Sequence, residues 1–284
     1  NPILCDCNMD DLSLDLDHLE SILKENEDCV VNLVSVLGLV PNMENVMKLK
    51  EKYGFTLIED VCESFDSSFD GKKLGTFGDA SVFSLFYGHH LSTIEGGMIC
   101  TNDENLNDIL KMIRAHGWDR ELSPDKQKSI RDHYEIADFN AAYTFYYPGF
   151  NVRATDLQAM LGLSQLQRAN DIVSKRNSNY NYLMENLNLE WYPTCHKAFV
   201  SNFCYPIITN KKQAVLDSLI ANGIECRPLI CGSMGFQPFY VDLYGPKYLP
   251  NCDVIDKCGI YIPNNPDLTL SELERISAAI NCII

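Results

Sequence analysis

Residues 1–100 alternate short apolar runs with segments of helical periodicity, and that alternation constrains the fold of the chain more than any other feature. PILCDC (2–7) reads as a strand. LDLDHLESILKEN (14–26) carries Leu14, Leu16, Leu19, Ile22 and Leu23 at the spacing of one helix face. CVVNLVSVLG (29–38) is an almost unbroken apolar strand. PNMENVMKLKEKYG (41–54) opens on Pro and closes on Gly as a helix does, and FTLIEDV (55–61) is another buried strand. Strand, helix, strand, helix, strand predicts a parallel sheet covered by helices. SVFSLF (81–86) and GGMICTND (96–103) add two further strands.

Beyond residue 102 the texture loosens. A helix is expected over 103–115 with Asn102 or Asp103 as its cap. The polar stretch 122–138 reads as an exposed loop, and a single long amphipathic helix as spanning Thr155 to Leu187. After Trp191, NFCYPIIT (202–209), KKQAVLDSLIANG (211–223) and IECRPL (224–229) read as strand, helix and strand. The expected organisation is α/β. A large domain over 1–165 has a mainly parallel central sheet, and 166–284 supplies the long helix and a smaller α+β C-terminal domain.

Several function classes drop out early. A formal net charge of −16 argues against a nucleic-acid surface, which needs clustered Lys and Arg. No apolar run reaches the roughly 18 residues of a membrane span. The start, NPILCDC, shows no basic n-region or cleavage site, so export is not expected. The 12 cysteines are scattered without a CxxC pair, which favours free thiols in a reducing, cytoplasmic compartment over zinc or disulfides.

In an open parallel sheet, ligands gather at the carboxyl ends of strands. Asp60 ends FTLIED, where a carboxylate either caps the next turn or faces a cationic ligand atom. Ser84 ends SVFS, where its hydroxyl either caps a turn or holds a phosphate. Glu95–Gly97 reads as a structural corner.

The order IEDVCES (58–64), GKKLGTFGDASVFSLF (71–86), EGGMICTND (95–103) resembles the aspartate-aminotransferase-fold sugar aminotransferases of the DegT/DnrJ/EryC1/StrS group. RAHGWDR (114–120), GFNVRATDLQAMLGLSQL (149–166), IECRPL and GIYIPNNPDLT (259–269) extend the likeness over nearly the whole chain. The resemblance implies a PLP-dependent transferase fold (aspartate aminotransferase, type I). In it, Asp60 pairs with the pyridine nitrogen of pyridoxal phosphate, and Ser84 holds the phosphate.

The Schiff-base lysine of the group falls five residues after that serine, and here the position is His89. A small branch of nucleotide-sugar 3-dehydratases carries histidine there, as an HH pair before EGG, and SLFYGHHLSTIEGG is similar to it. Imidazole has no amine with which to hold the cofactor covalently. With an ordinary pKa near 6.5 it is suited to moving protons. The resemblance therefore implies C3 deoxygenation of a GDP-linked 4-keto-6-deoxyhexose with pyridoxamine or pyridoxal phosphate as cofactor and L-glutamate as amino donor. The CDP-sugar relatives hold an iron–sulfur cluster through cysteines that ELSPDKQKSIRDHYE (121–135) lacks, so no cluster and no metal is expected.

The same resemblance assigns Glu63 to a cofactor contact, against a solvent-facing acid, and His116 to the substrate, against a structural hydrogen bond. Asn151 and Arg153 match a segment that reaches the neighbouring subunit's cofactor phosphate or substrate, which implies a homodimer with shared active sites. Arg227 is the candidate for the nucleotide diphosphate. Family members carry further residues before the strand that PILCDC matches, so the first part of the large domain is expected to be absent from this chain. A noncatalytic subunit of the same fold and a sugar aminotransferase are the alternative readings.

Overall fold

The computed structural model describes residues 1–284. Its first regular element is not a strand. Residues 1–6 run without regular pairing, and Cys7 makes only an isolated bridge with Leu14. The reason lies in Asp6, whose carboxylate accepts from the main-chain N–H groups of Asn251 and Cys252 (3.0 Å each), at the start of a distant helix. The segment is spent on that cap and not on a sheet.

Helix α1 (Leu16–Glu25) follows, capped by Asp15, which accepts from the His18 N–H at 2.8 Å. Strand β1 (Val30–Val34), helix α2 (Met43–Tyr53) and strand β2 (Thr56–Asp60) come next. The apolar run after β1 does not stay extended: Val36–Gly38 closes as a 3-10 turn with Leu37 at φ +53°. Gly54 ends α2 in the left-handed region. Two short strands, β3 (Ser68–Phe69) and β4 (Lys72–Lys73), form a hairpin before β5 (Ala80–Ser84) and β6 (Gly97–Thr101).

The main sheet has the order β1-β2-β5-β6. The first three strands are parallel, with Ile58 opposite Ala80 and Asp60 opposite Val82, and β6 returns antiparallel on β5. The strand ends named from the sequence therefore share one edge. β1 and β6 are both edge strands.

Helix α3 (Glu104–Arg114) has the expected cap at Asp103. The stretch expected to be a loop contains helix α4 (Pro124–His133), started by Ser123 and Pro124. None of its residues is buried, so no apolar periodicity betrays it. After the short α5 (Asp138–Ala141), the expected long helix is two: α6 (Asp156–Leu166), with a Thr155–Gln158 capping box, and α7 (Ala169–Asn186). They separate because they answer to different surroundings. α7 buries Ile172, Val173, Tyr180 and Leu183, and α6 buries nothing.

Strand β7 (Ala198–Phe199) joins the β3–β4 hairpin. The C-terminal sheet has the order β8 (Cys204–Ile208), β10 (Gly259–Pro263), β9 (Arg227–Pro228), all antiparallel. The expected strand IECRPL shrinks to two residues at the sheet edge, where Pro228 needs no ladder donor. Helices α8 (Lys212–Ala221) and α11 (Leu270–Asn281) pack together beside this sheet, and α9 (Pro238–Tyr244) and α10 (Pro250–Cys258) lie between β9 and β10 in sequence. One core of 34 buried residues runs from Leu12 through Leu37, Leu57 and Leu183 to Tyr205, Ile260 and Ile280.

Candidate active site

Residues 201–203 are the seam on which the site is built. Phe203 N–H donates to the Leu37 carbonyl at 2.8 Å, Asn202 Nδ2 to the same oxygen at 2.7 Å, and Ser201 N–H to Ser67 Oγ at 2.9 Å. Gly38, at φ +88°, allows this approach: a Cβ there would lie 2.5 Å from the Ser201 carbonyl oxygen. The seam delivers the Phe203 ring to His89, stacked at 5.0 Å between centroids and 24° between planes.

His89 is held from its other side. Its Nδ1 lies 2.6 Å from the Cys62 carbonyl oxygen. A carbonyl only accepts, so Nδ1 carries a proton, and Nε2 is the nitrogen left without a partner. His90, the second of the pair, is buried, and its Nε2 donates to the Ser201 carbonyl at 3.0 Å. Burial first, then the charge of Arg176, pushes His90 down to about 3, so it is a neutral structural residue at pH 7.

Glu63 sits beside this pair. Its Oε2 accepts from the Leu37 N–H at 2.7 Å, against the same residue whose carbonyl holds Phe203. Burial pushes the Glu63 carboxyl up to about 7, with the Leu37 N–H pulling the other way and the charge of Asp60 adding to the rise. Glu63 is half-buried, bonded to the Leu37 N–H and part of a cavity wall. Asp60 ends β2 and accepts from the Cys62 N–H at 3.1 Å through Oδ1 alone. Ser84 ends β5, and its Oγ accepts from the Phe86 N–H at 3.2 Å, leaving its own proton unspent.

A cavity of about 420 Å³ opens between the two halves of the chain, lined by Glu63, His89, Arg176, Phe203, Arg227 and Tyr261 among others. No lysine lines it. Arg227 is tied to the carboxylate of Glu225 through Nε at 3.0 Å and Nη2 at 2.7 Å. Ser84 opens instead onto an adjoining apolar cleft of about 410 Å³ between β5, β6 and α6, with Cys62 in the wall between the two.

The remaining sequence candidates stand apart. His116, at φ +61°, packs its ring 4.6 Å from that of Trp118, and its N–H donates to the Phe150 carbonyl at 2.6 Å. Asn151 bridges Ala115, and the Arg153 guanidinium lies 5.8 Å from the Trp118 ring centre. These three gather around Trp118 and do not line the His89 cavity. Sequence reasoning missed Phe203 and Arg176. Phe203 carried no signal, but Arg176 did: it falls among Ile172, Val173, Tyr180 and Leu183 on the buried face of α7, where a cation is out of place.

The model of the DegT/DnrJ/EryC1/StrS aminotransferase family matches residues 1–281. Over 281 residues the chain is 30% identical to a GDP-4-keto-6-deoxy-D-mannose 3-dehydratase of Escherichia coli O55:H7 (strain CB9615 / EPEC), covering 95% of this chain and 72% of that protein. It is 26% identical over 299 residues to a GDP-perosamine synthase of Caulobacter vibrioides, covering 100% of this chain and 73% of the other. A crystal structure of GDP-4-keto-6-deoxymannose-3-dehydratase with a trapped PLP-glutamate geminal diamine superposes with a TM-score of 0.85 at 26% identity, over 97% of this chain and 73% of that one.

Proposed function

The chain belongs to the DegT/DnrJ/EryC1/StrS aminotransferase family, and from that premise we propose that it is a pyridoxamine/pyridoxal phosphate-dependent 3-dehydratase of a nucleotide-linked 4-keto-6-deoxyhexose. GDP-4-keto-6-deoxy-D-mannose is the proposed substrate and L-glutamate the amino donor. One observation carries the reading: the position where an aminotransferase needs its lysine holds an imidazole whose Nδ1 is held by the Cys62 carbonyl and whose Nε2 has no partner.

The donor set fits the cofactor. Asp60 keeps Oδ2 without a partner, as a carboxylate facing a protonated pyridine nitrogen requires. Ser84 retains a hydroxyl proton for a phosphate oxygen. These two groups end neighbouring strands of one sheet, and His89 follows on the chain after the second. When bound, the cofactor supplies an electron sink for the carbon acid it carries.

Each protein group then has a defined task. His89 Nε2 takes the proton released at carbon and returns it, and its Nδ1–H bond to Cys62 stops the ring from turning away. Phe203 covers one face of the imidazole and keeps water from it. Glu63, uncharged for much of the time near neutrality, spares Asp60 a second full negative charge at close quarters. Arg227 meets the nucleotide diphosphate from the cavity rim. His116, Asn151 and Arg153 serve the site of a second copy in a homodimer, a reading supported by their lying outside the lining of their own chain's cavity. No helix is long and apolar enough to cross a membrane.

An absorbance titration with pyridoxal phosphate and pyridoxamine phosphate tests the first half, with a saturable cofactor band expected. A chain that bound neither would be a noncatalytic relative. Mass spectrometry after incubation with GDP-4-keto-6-deoxymannose and glutamate tests the second. Loss of one oxygen supports dehydration, whereas gain of an amino group in its place would make the chain an aminotransferase.

A further inference from the structure

Arg176 is only 5% exposed, yet its guanidinium has no carboxylate partner. Nη1 donates to the carbonyls of Asn202 (3.4 Å), Phe203 (2.7 Å) and Asn264 (2.8 Å). Nε is buried with no partner at all, and Nη2 has no partner either but is not sealed from solvent. The contrast within the molecule is plain. Arg131 has the carboxylate of Asp119 at 2.7 Å and Arg227 has that of Glu225. Burial holds Arg176 down at about 10, with no carboxylate charge acting on it, so it stays cationic at neutral pH.

A buried cation without a counter-ion is costly, and the fold would retain it more cheaply as an apolar residue of similar volume. Three carbonyls on one nitrogen explain how the group is anchored, but not why the opposite edge is left open. On that edge Nε is sealed and Nη2 is the accessible donor, a cationic N–H that matches one oxygen of an oxyanion. Arg176 lines the same cavity as His89, with Tyr261 and Asn264 as neutral neighbours. A cavity of about 420 Å³ lies within the range of small-molecule sites.

We infer that Nη2 of Arg176 is an oxyanion subsite of the His89 cavity, and that its counter-ion is a carboxylate or phosphate brought by a small ligand. The inference rests on the reading of that cavity as the reaction site. Two sources share this chemistry: the carboxylate of an amino-acid donor and the diphosphate of a nucleotide sugar. Because Nη1 also clamps residues 202–203, Arg176 positions Phe203 whether or not the subsite is filled.

Calorimetric titration of the full chain with L-glutamate in one arm and GDP in the other tests the subsite. Arg176→Lys is expected to weaken one of the two by at least about tenfold, the lower range for one charge-assisted hydrogen bond. Lys175→Met, its exposed neighbour on α7, should leave both unchanged. The arm that responds identifies the source. If the lysine variant does not fold, the Nε–H resonance of Arg176 in the unaltered chain is followed during both titrations and should move in one. Binding indifferent to Arg176, no binding in either arm, or an unmoved resonance at saturation overturns the subsite. A cofactor band that persists in the absorbance titration would show that the proposed reaction survives that failure.

Discussion

At the scale of single residues, the character of the site follows from which atoms are already spoken for. His89 has one ring nitrogen committed to Cys62 and one free, so a change of residue there changes the kind of chemistry and not only its rate. His89→Lys is expected to capture pyridoxal phosphate covalently. Borohydride reduction followed by mass spectrometry should then find a pyridoxyl group on the variant and none on the unaltered chain. Dehydration should fall by about a hundredfold or more, the lower range for a lost general base. Unchanged dehydration in the variant would remove His89 from the mechanism. Glu63 makes a second prediction through its proton. Its folded pKa of about 7 lies above the ordinary 4.5, so the native state holds a proton that the unfolded chain has released. Stability therefore falls as pH rises from about 4.5 to about 7 and levels off above, by something on the order of 3 kcal/mol. Glu63→Gln keeps an acceptor for the Leu37 N–H and cannot ionise. Urea unfolding at pH 5 and pH 8 should show the variant losing much less stability than the parent between the two. An equal loss in both would place the titration elsewhere.

At the scale of elements, the seam at 201–203 depends on close backbone approach. Gly38→Ala places a Cβ 2.5 Å from a main-chain oxygen and asks for a positive φ, so the seam must shift. The expected cost exceeds about 1 kcal/mol in thermal or urea unfolding. Phe203 should lose its stack on His89, read as a change in the imidazole proton resonances. The N-terminal segment is tied by similar means. Asp6→Ala strips the cap of α10, an expected loss of about 1 kcal/mol. These contacts also explain what the sequence could disclose. β1, β2 and β5 were legible because each is a short run dominated by Val, Leu, Ile and Phe, although only alternate residues of β1 and β2 are buried. Asp60, Ser84 and His89 were legible because strand ends and a fixed count place them. α4 was not, since a helix that buries nothing carries no stripe, and the role of Asp6 was hidden because its partners lie 245 and 246 residues away. Phe203 was invisible for the same reason, joined to Leu37 and His89 only by the fold.

At the scale of the whole molecule, the feature that asks for an explanation is α6. It is rich in apolar residues, yet Leu157, Met160 and Leu163 are 73%, 69% and 65% exposed, and Phe150, shortly before it in the chain, is 66% exposed. A single soluble chain rarely leaves a continuous apolar face of this kind open, because covering it gains roughly 25 cal/mol per Å². Asn151 and Arg153 stand exposed at the N-terminal approach to the same helix, away from the cavity of their own chain. A second copy laid on α6 would cover the face, as the proposed homodimer requires. Sedimentation at micromolar concentration should therefore give twice the mass of the chain. Met160→Glu, which sets a charge in the middle of that face, should shift the equilibrium to the single chain while leaving far-UV circular dichroism unchanged. It should also weaken pyridoxal phosphate binding if residues 151 and 153 act across the interface. A parent chain that sediments as a monomer would refute the homodimer. A variant that dissociates without any change in cofactor affinity would leave the dimer standing but confine each site to one chain.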